Sequence, residues 1–277
     1  MTSSTTPTTY LDADALGTTR MRAEAGDGIG WLIFDNPARH NAMSTEMNRA
    51  IPIIVDAFAA DPDIRVVVMK GSGGKAFVSG ADISEFAENR TAAEARAEYD
   101  RIAGAAQRAL ATLDKPLLAM IEGYCFGGGF LTASRADIRI AADNARFAIP
   151  AAKLGLGYGY AGVEGLAQLV GKANAAEILF SARRYDAAEA AAMGLINRVV
   201  PTDELEASVI ELATTIAGNA PMTIRSVKAA LREFAKTPDR RDLDRVHELT
   251  EACFASDDYR EGQAAFAEKR APVFHDR

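Results

Sequence analysis

Two glycine-punctuated turns are the places in this 277-residue chain where the backbone itself could do chemistry. The first is Val78-Ser79-Gly80-Ala81-Asp82-Ile83. The second is Glu122-Gly123-Tyr124-Cys125-Phe126-Gly127-Gly128-Gly129-Phe130. Each follows an apolar, strand-like run (Val66-Val67-Val68-Met69, then Leu117-Leu118-Ala119-Met120-Ile121) and leads into a helix-like segment. The first N–H groups of a helix have no acceptor inside it and point outward with its dipole. Glycine leaves such an N–H open to close approach, because no side chain stands in the way. Two such turns side by side would aim two donors at one point. That is the geometry of an oxyanion hole, which stabilises charge developing on a carbonyl oxygen.

Other motifs compete less well. Gly157-Tyr158-Gly159-Tyr160-Ala161-Gly162 spells a dinucleotide fingerprint. No hydrophobic strand feeds directly into it, and no acidic residue follows at the ribose-binding distance, so a nicotinamide or flavin site is not expected. Gly71-Ser72-Gly73-Gly74-Lys75 hints at a phosphate loop, but the glycine spacing is wrong and Ala76 stands where Ser or Thr is required. Cys125 has no histidine near it in sequence and reads as a buried, inert thiol. His247 and His275 fall in a helical tail and read as surface residues. His40, beside Arg39, reads as a solvated loop residue, with the basic rim of an anion site as its alternative. Asp137 reads as structural, and Tyr158 or Tyr160 as a side chain that projects into a site.

The elements that would position the two turns follow from periodicity. Residues 19–34 read as a hairpin turning at Gly26-Asp27-Gly28. Ser44 caps a helix running to about Ala60, with Pro52 inside it. Val66 to Lys70 reads as a buried-type strand, 91–113 as an alanine-rich helix, and Ile138 to Ala142 as a further strand. Strands alternating with helices predict βαβ units and a mostly parallel sheet. From about residue 203 the pattern is only helical, broken at Pro221 and Pro238. The chain therefore divides into a disordered tail (1–18), a core (19–202) and a helical region (203–277).

Composition excludes several function classes. The net charge of −7 argues against general binding to nucleic acid or a membrane surface. No apolar run reaches the ~18 residues that span a bilayer. Two cysteines without paired spacing, and no Cys/His cluster, predict a reducing, cytoplasmic setting and no metal site. The polar Met1-to-Thr9 stretch lacks the apolar core of a signal peptide.

Taken together, the motifs resemble the crotonase superfamily, the enoyl-CoA hydratase/isomerase family, from about Met21 to Phe274. The resemblance is carried, in order, by Asn36-Pro37-Ala38-Arg39-His40-Asn41-Ala42-Met43, by Lys75 to Ile83, by the Gly123-to-Gly129 turn, by Ala145-Arg146-Phe147-Ala148-Ile149-Pro150, by Ala191 to Val200 and by Glu261 to Arg270. It implies an α/β fold built as a spiral of ββα units, with a C-terminal helical region that assembles homotrimers, often paired as hexamers. It implies an acyl-CoA thioester substrate and no tightly bound cofactor beyond the coenzyme A that substrate carries. By position, the N–H groups of Ala81 and Gly128 would form the oxyanion hole. The Arg39-to-Ala42 loop, with His40, and the Gly80-Ala81-Asp82-Ile83-Ser84 turn would hold the nucleotide and pantetheine. Phe266 and Lys269 match positions that reach the nucleotide, often from a neighbouring subunit. Pro150, Ala151, Leu154, Phe86, Tyr124, Leu131 and Tyr158 would wall the acyl pocket.

The departures carry as much information. Hydratases of this family use two glutamates as acid and base, and the matching positions here are Leu131 and Ala151. Neither side chain can transfer a proton, and positioned acid–base groups typically contribute ~10²–10⁴-fold. Hydration of an enoyl-CoA, or its isomerisation, is therefore expected to be poor. Decarboxylation of a malonyl-type thioester needs no base at carbon, since loss of carbon dioxide leaves the enolate itself. The family's decarboxylases carry a tyrosine where Tyr158 stands, although their polar residue at the Ala81 position is missing. A binding protein that keeps coenzyme A affinity without chemistry is the other expectation.

Overall fold

The computed structural model describes residues 6–82 and 93–276. Ile83, Ser84 and Phe86, expected at the site, lie outside the described residues. The strands are β1 (Thr8–Leu11), β2 (Met21–Gly26), β3 (Ile29–Phe34), β4 (Val66–Gly71), β5 (Ala76–Val78), β6 (Leu117–Ile121), β7 (Tyr124–Phe126), β8 (Ile138–Ala142), β9 (Arg146–Ala148), β10 (Tyr185–Asp186) and β11 (Arg198–Val200). Seven of them form one sheet in the order β1-β2-β3-β4-β6-β8-β11, antiparallel through β1-β2-β3 and parallel beyond. A second sheet has the order β10-β9-β7-β5, parallel except at β10.

The large sheet is buried on both faces, which is why β3, β4 and β6 read as continuous apolar runs. Alternate residues divide between two clusters, as the period of two requires. Leu32, Phe34, Val67, Met69, Ala119 and Ile121 face a helical layer. It is made by α2 (Thr45–Ala60) and α3 (Ala93–Thr112), following the single turn α1 (Ala13–Leu16). In α2 the buried Met47, Ala50, Ile51, Ile54, Val55 and Phe58 recur at helical spacing as one stripe. Trp31, Ile33, Val66, Val68, Leu118 and Ile140 face the other way.

Each second strand drops out of the large sheet into the small one and ends at a helix. β6 and β7 lead to α4 (Gly128–Ala133), and β8 and β9 lead to α5 (Tyr160–Ser181). This is the spiral of ββα units that was expected. It refines one detail: the Gly80 turn follows the three-residue β5, not the Val66 run, which ends instead at Gly71. After α6 (Ala187–Ala192), helix α7 (Leu205–Ala217) covers the second face of the large sheet with Leu205, Val209 and Ala213. Helices α8 (Pro221–Phe234), α9 (Leu243–Ala255) and α10 (Asp257–Glu268) complete the helical region. Pro221 opens α8, and Pro238 opens a 3-10 turn between α8 and α9, so both prolines break the pattern where expected.

The expected disordered tail is too long. Within 1–18, β1 pairs antiparallel with β2 and α1 is capped by the Asp12 side chain, which accepts the Ala15 N–H at 2.9 Å. Leu16 enters the core, and the Tyr10 hydroxyl donates to Asp61 at 2.9 Å. An unpaired sheet edge is a template for one more strand. The threonines that made this stretch look polar are also good strand formers.

Candidate functional site

The loop before α2 braces the first glycine turn. Asn41, fully buried in a left-handed conformation, accepts the Asn36 N–H at 2.8 Å and donates to the carbonyls of Ser72 and Ala76 at 3.0 and 2.7 Å. Asparagine is among the residues that tolerate this backbone region. The latched loop then meets the turn edge to edge. Ser79 N–H donates to His40 O, Met43 N–H to Gly80 O (2.8 Å), and Asp82 N–H to Met43 O (2.9 Å). Met43 thus spends both of its backbone groups on the residues flanking Ala81. In a parallel bridge the residue opposite then turns its own N–H and C=O to the far side.

Gly128 stands on that far side. Gly127 caps α4 at φ 51°, a conformation that favours glycine, and gives its N–H to Ala148 O at 2.8 Å. Gly128 is then the first residue of the helix, with an N–H that has no intrahelical acceptor. The two turns touch: a Cβ built on Gly128 would lie 3.8 Å from Ala81 N, and one on Gly127 3.9 Å from Gly80 Cα. A Cβ on Gly129 would collide with the Val78 carbonyl oxygen, so α4 can lie against β5 only with glycine there. The two turns therefore lie side by side, and both border one place.

That place is the mouth of a cavity of about 370 Å³ lined by Gly80, Ala81, Gly127, Gly128, Leu131, Pro150, Ala151, Leu154 and Tyr158 among others. Leu131 and Ala151, which the resemblance aligns with the hydratases' glutamates, are in its wall. Ala151 is buried and Leu131 half-buried, so no carboxylate stands at either. Tyr158 is half-buried against Gly162. Burial pushes its phenol above the usual tyrosine range, opposed by the charge of Arg135.

The wall also holds polar side chains that the sequence reading passed over. The Thr132 hydroxyl donates to Gly128 O (2.9 Å) and accepts from Gln107 Nε2 (3.0 Å). Gln107 Oε1 in turn accepts from Arg135 Nε (3.0 Å). On α3, Asp100, Ala103 and Gln107 line the cavity at i, i+3 and i+7, one helical face. That spacing was the available signal, hidden in an alanine-rich helix.

The remaining expected residues lie elsewhere. Arg39 and the buried Asp82 form an ion pair at 3.0 Å, tying the loop before α2 to the Gly80 turn. Tyr124, on the small sheet, meets the His40 ring edge to face (5.8 Å between centroids) and packs tilted against Phe126 (5.1 Å). Phe266, 88% exposed, and Lys269 lie on and just after α10 and do not line this cavity. His40, His247 and His275 are exposed, and burial pushes the Cys125 thiol well above its usual range. Asp137 accepts the Leu117 N–H and the Lys228 ammonium, both at 2.7 Å, a structural role.

Comparison with known proteins gives the family and the fold. Residues 24–277 match the model of a family described as enoyl-CoA hydratase/isomerase. The chain is 35% identical over 251 residues to the crotonyl-CoA hydratase of Syntrophomonas wolfei, covering 91% of this chain and 96% of that protein. It is 36% identical over 250 residues to the carnitinyl-CoA dehydratase of Salmonella typhi, covering 89% and 94%. The solved enoyl-CoA hydratase/carnithine racemase from Magnetospirillum magneticum superimposes with a TM-score of 0.89 at 34% identity, over 94% of this chain and 97% of that one.

Proposed function

Since the chain belongs to the enoyl-CoA hydratase/isomerase family, we propose that it binds an acyl-CoA thioester and stabilises its enolate with the N–H groups of Ala81 and Gly128. The observation that carries this reading is the contact of the two turns, so close that a Cβ built on Gly128 would lie 3.8 Å from Ala81 N. The thioester oxygen accepts from both donors, which act most strongly as its charge grows. The relatives named crotonyl-CoA hydratase and carnitinyl-CoA dehydratase support a short acyl group. Leu131 and Ala151 make this chain a poor hydratase by the usual route. The proton then comes from Tyr158, whose burial keeps the phenol neutral and able to donate.

The same pocket favours a second reading, decarboxylation of a malonyl-type thioester. There the bond from the α-carbon to the carboxylate breaks, its electron pair becomes the enolate, and Tyr158 or water returns a proton to the α-carbon. In the third reading the pocket holds coenzyme A esters and turns over none. One screen separates all three: crotonyl-CoA, a 3-enoyl-CoA, methylmalonyl-CoA and a saturated acyl-CoA, each followed by mass spectrometry. Loss of carbon dioxide from methylmalonyl-CoA with crotonyl-CoA untouched selects the decarboxylase. Fast hydration of crotonyl-CoA overturns the argument from Leu131 and Ala151. No turnover, with binding retained, selects the third reading. Gly128→Pro removes one donor at a helix position that tolerates proline, and turnover should fall by about 10²–10³-fold. Unchanged turnover in a folded variant refutes the role of that N–H.

A further inference from the structure

The cavity wall contains a buried amide that the protein itself uses only in part. Asn48, on α2, is 3% exposed and lines the cavity. Its Nδ2 donates to Ser44 O at 3.1 Å, one turn back along the helix. Its carbonyl oxygen, Oδ1, receives no hydrogen bond among the described residues. Asn41, also deeply buried, is used in full: Oδ1 takes the Asn36 N–H, and Nδ2 gives to Ser72 O and Ala76 O. An asparagine kept only for structure spends its acceptor as well as its donors. Nor is the Asn48 oxygen sealed in the core. Among the described residues, the one side-chain polar atom both sealed and unpartnered is Ser72 Oγ. Oδ1 therefore keeps some open surface, and the cavity is the space that Asn48 lines.

Other polar groups of this wall are committed or exposed. Thr132 and Gln107 are bonded to each other, Ser79 Oγ donates to Arg39 O at 3.3 Å, and Asp100 is exposed. Asn48 combines burial with an unused acceptor. Its amide also stands near the oxyanion turn. Met43 brackets Ala81, Ser44 follows Met43 in the chain, and Asn48 is hydrogen-bonded to Ser44 O. A short acyl group held by its thioester at that turn is therefore long enough to meet it. Water satisfies such an oxygen while the pocket holds solvent. An alkyl chain that displaces the water gives no bond in return and loses affinity, whereas a hydroxyl on the chain replaces the bond. The unused group is an acceptor, so the matching ligand group is a donor.

We infer that Asn48 is a specificity determinant for short acyl-CoA thioesters that carry a hydroxyl on the acyl chain. This inference rests on the coenzyme A reading of the site. The test compares calorimetric titrations of the intact protein with butyryl-CoA, 2-hydroxybutyryl-CoA and 4-hydroxybutyryl-CoA. The 3-hydroxy ester is set aside, because hydration of crotonyl-CoA itself makes it. A site that hydrogen-bonds a substrate hydroxyl rejects the analogue lacking it, so one of the two hydroxy esters should bind about tenfold or more tightly than butyryl-CoA. Equal or weaker binding of both overturns the inference, while the binding of butyryl-CoA leaves the coenzyme A reading intact. If none of the three esters binds, that reading falls first and takes this one with it. Asn48→Leu removes the amide at similar size and should bring the ratio close to one. Asn48→Asp keeps an acceptor in the same place and should keep a preference for the hydroxy ester. A full preference retained in folded Asn48→Leu overturns the assignment to this residue. The parent's ratio alone decides the substrate class should the variants fail to fold.

Discussion

At the scale of single residues, the site depends on how firmly the Gly128 peptide is held. Thr132 is fully buried, and its hydroxyl bridges Gly128 O to Gln107. Thr132→Val keeps the shape and deletes both bonds. We expect a stability loss of about 1–3 kcal/mol, the range for buried polar groups left unpaired, read as a lowered denaturant midpoint. Turnover should fall with KM nearly constant, because the Thr132 hydroxyl is spent on Gly128 O and Gln107 and acts by positioning the donor. A rise in KM alone would place its effect in binding. The two vacated acid–base positions make a second prediction. Leu131→Glu with Ala151→Glu should raise hydration of crotonyl-CoA by about 10²–10⁴-fold over the parent, measured by loss of enoyl absorbance. No gain in a folded double variant would mean that the backbone no longer presents these positions as the family does. The neighbouring glycine turns were legible because glycine at a strand-to-helix turn has a fixed local meaning, whereas Leu131 and Ala151 stood out only through the family resemblance. Arg135 and Gln107 were not legible, since their partnership crosses from α3 to the end of α4 and no spacing along the chain reports it.

At the scale of elements, legibility follows length. The runs at Val66–Gly71, Leu117–Ile121 and Ile138–Ala142 are long enough to declare a buried strand, and the structure has them there. The strands of the second sheet hold two or three residues, too few for a period of two to show, so the residues resemble loop. Their pairing is set by the large sheet above them. Helix α8 shows what binds the C-terminal region to the core. Lys228, almost wholly buried, donates at 2.7 Å both to Lys115 O and to Asp137, which also accepts the Leu117 N–H at the start of β6. Lys228→Met fills the space and strands both acceptors. Because Asp137 keeps partial access to water, the cost is about 1–3 kcal/mol rather than that of a sealed ion pair, seen as a fall in Tm. Glu261 on α10 supplies a pH dependence. Its carboxylate receives the Arg270 guanidinium and the Val273 N–H, and these hold it down at about 2. A carboxyl whose folded value lies below its unfolded one stabilises the fold above the unfolded value, near 4.5, and ceases to do so as pH falls toward 2. Glu261→Gln should therefore flatten the fall of Tm between pH 4.5 and 2 relative to the parent; parallel profiles would show that Arg270 and Val273 contribute nothing to stability.

At the scale of the molecule, the core and the helical region differ in how they treat apolar surface. The core buries most of its large side chains, with Phe180, Tyr160 and Leu154 among the exceptions. The helical region leaves Phe234, Phe254 and Phe266 exposed at 76%, 57% and 88%, with Leu231 at 64% between them. Single exposed apolar residues are ordinary, but Phe254, Tyr259 and Phe266 line one groove between α8, α9 and α10. A second copy of this chain is the partner that the family resemblance supplies. It also accounts for Phe266 and Lys269, which match nucleotide-contacting positions yet lie away from their own chain's cavity. The two facts are joined if the copy that covers the groove receives those residues at its own site. Sedimentation at micromolar concentration should then give three or six times the chain mass. Phe254→Ser with Phe266→Ser should shift it toward the single chain and weaken coenzyme A binding together. A single-chain mass for the parent would remove the assembly. A dissociated variant that still binds coenzyme A as tightly as the parent would show that each chain completes its site alone.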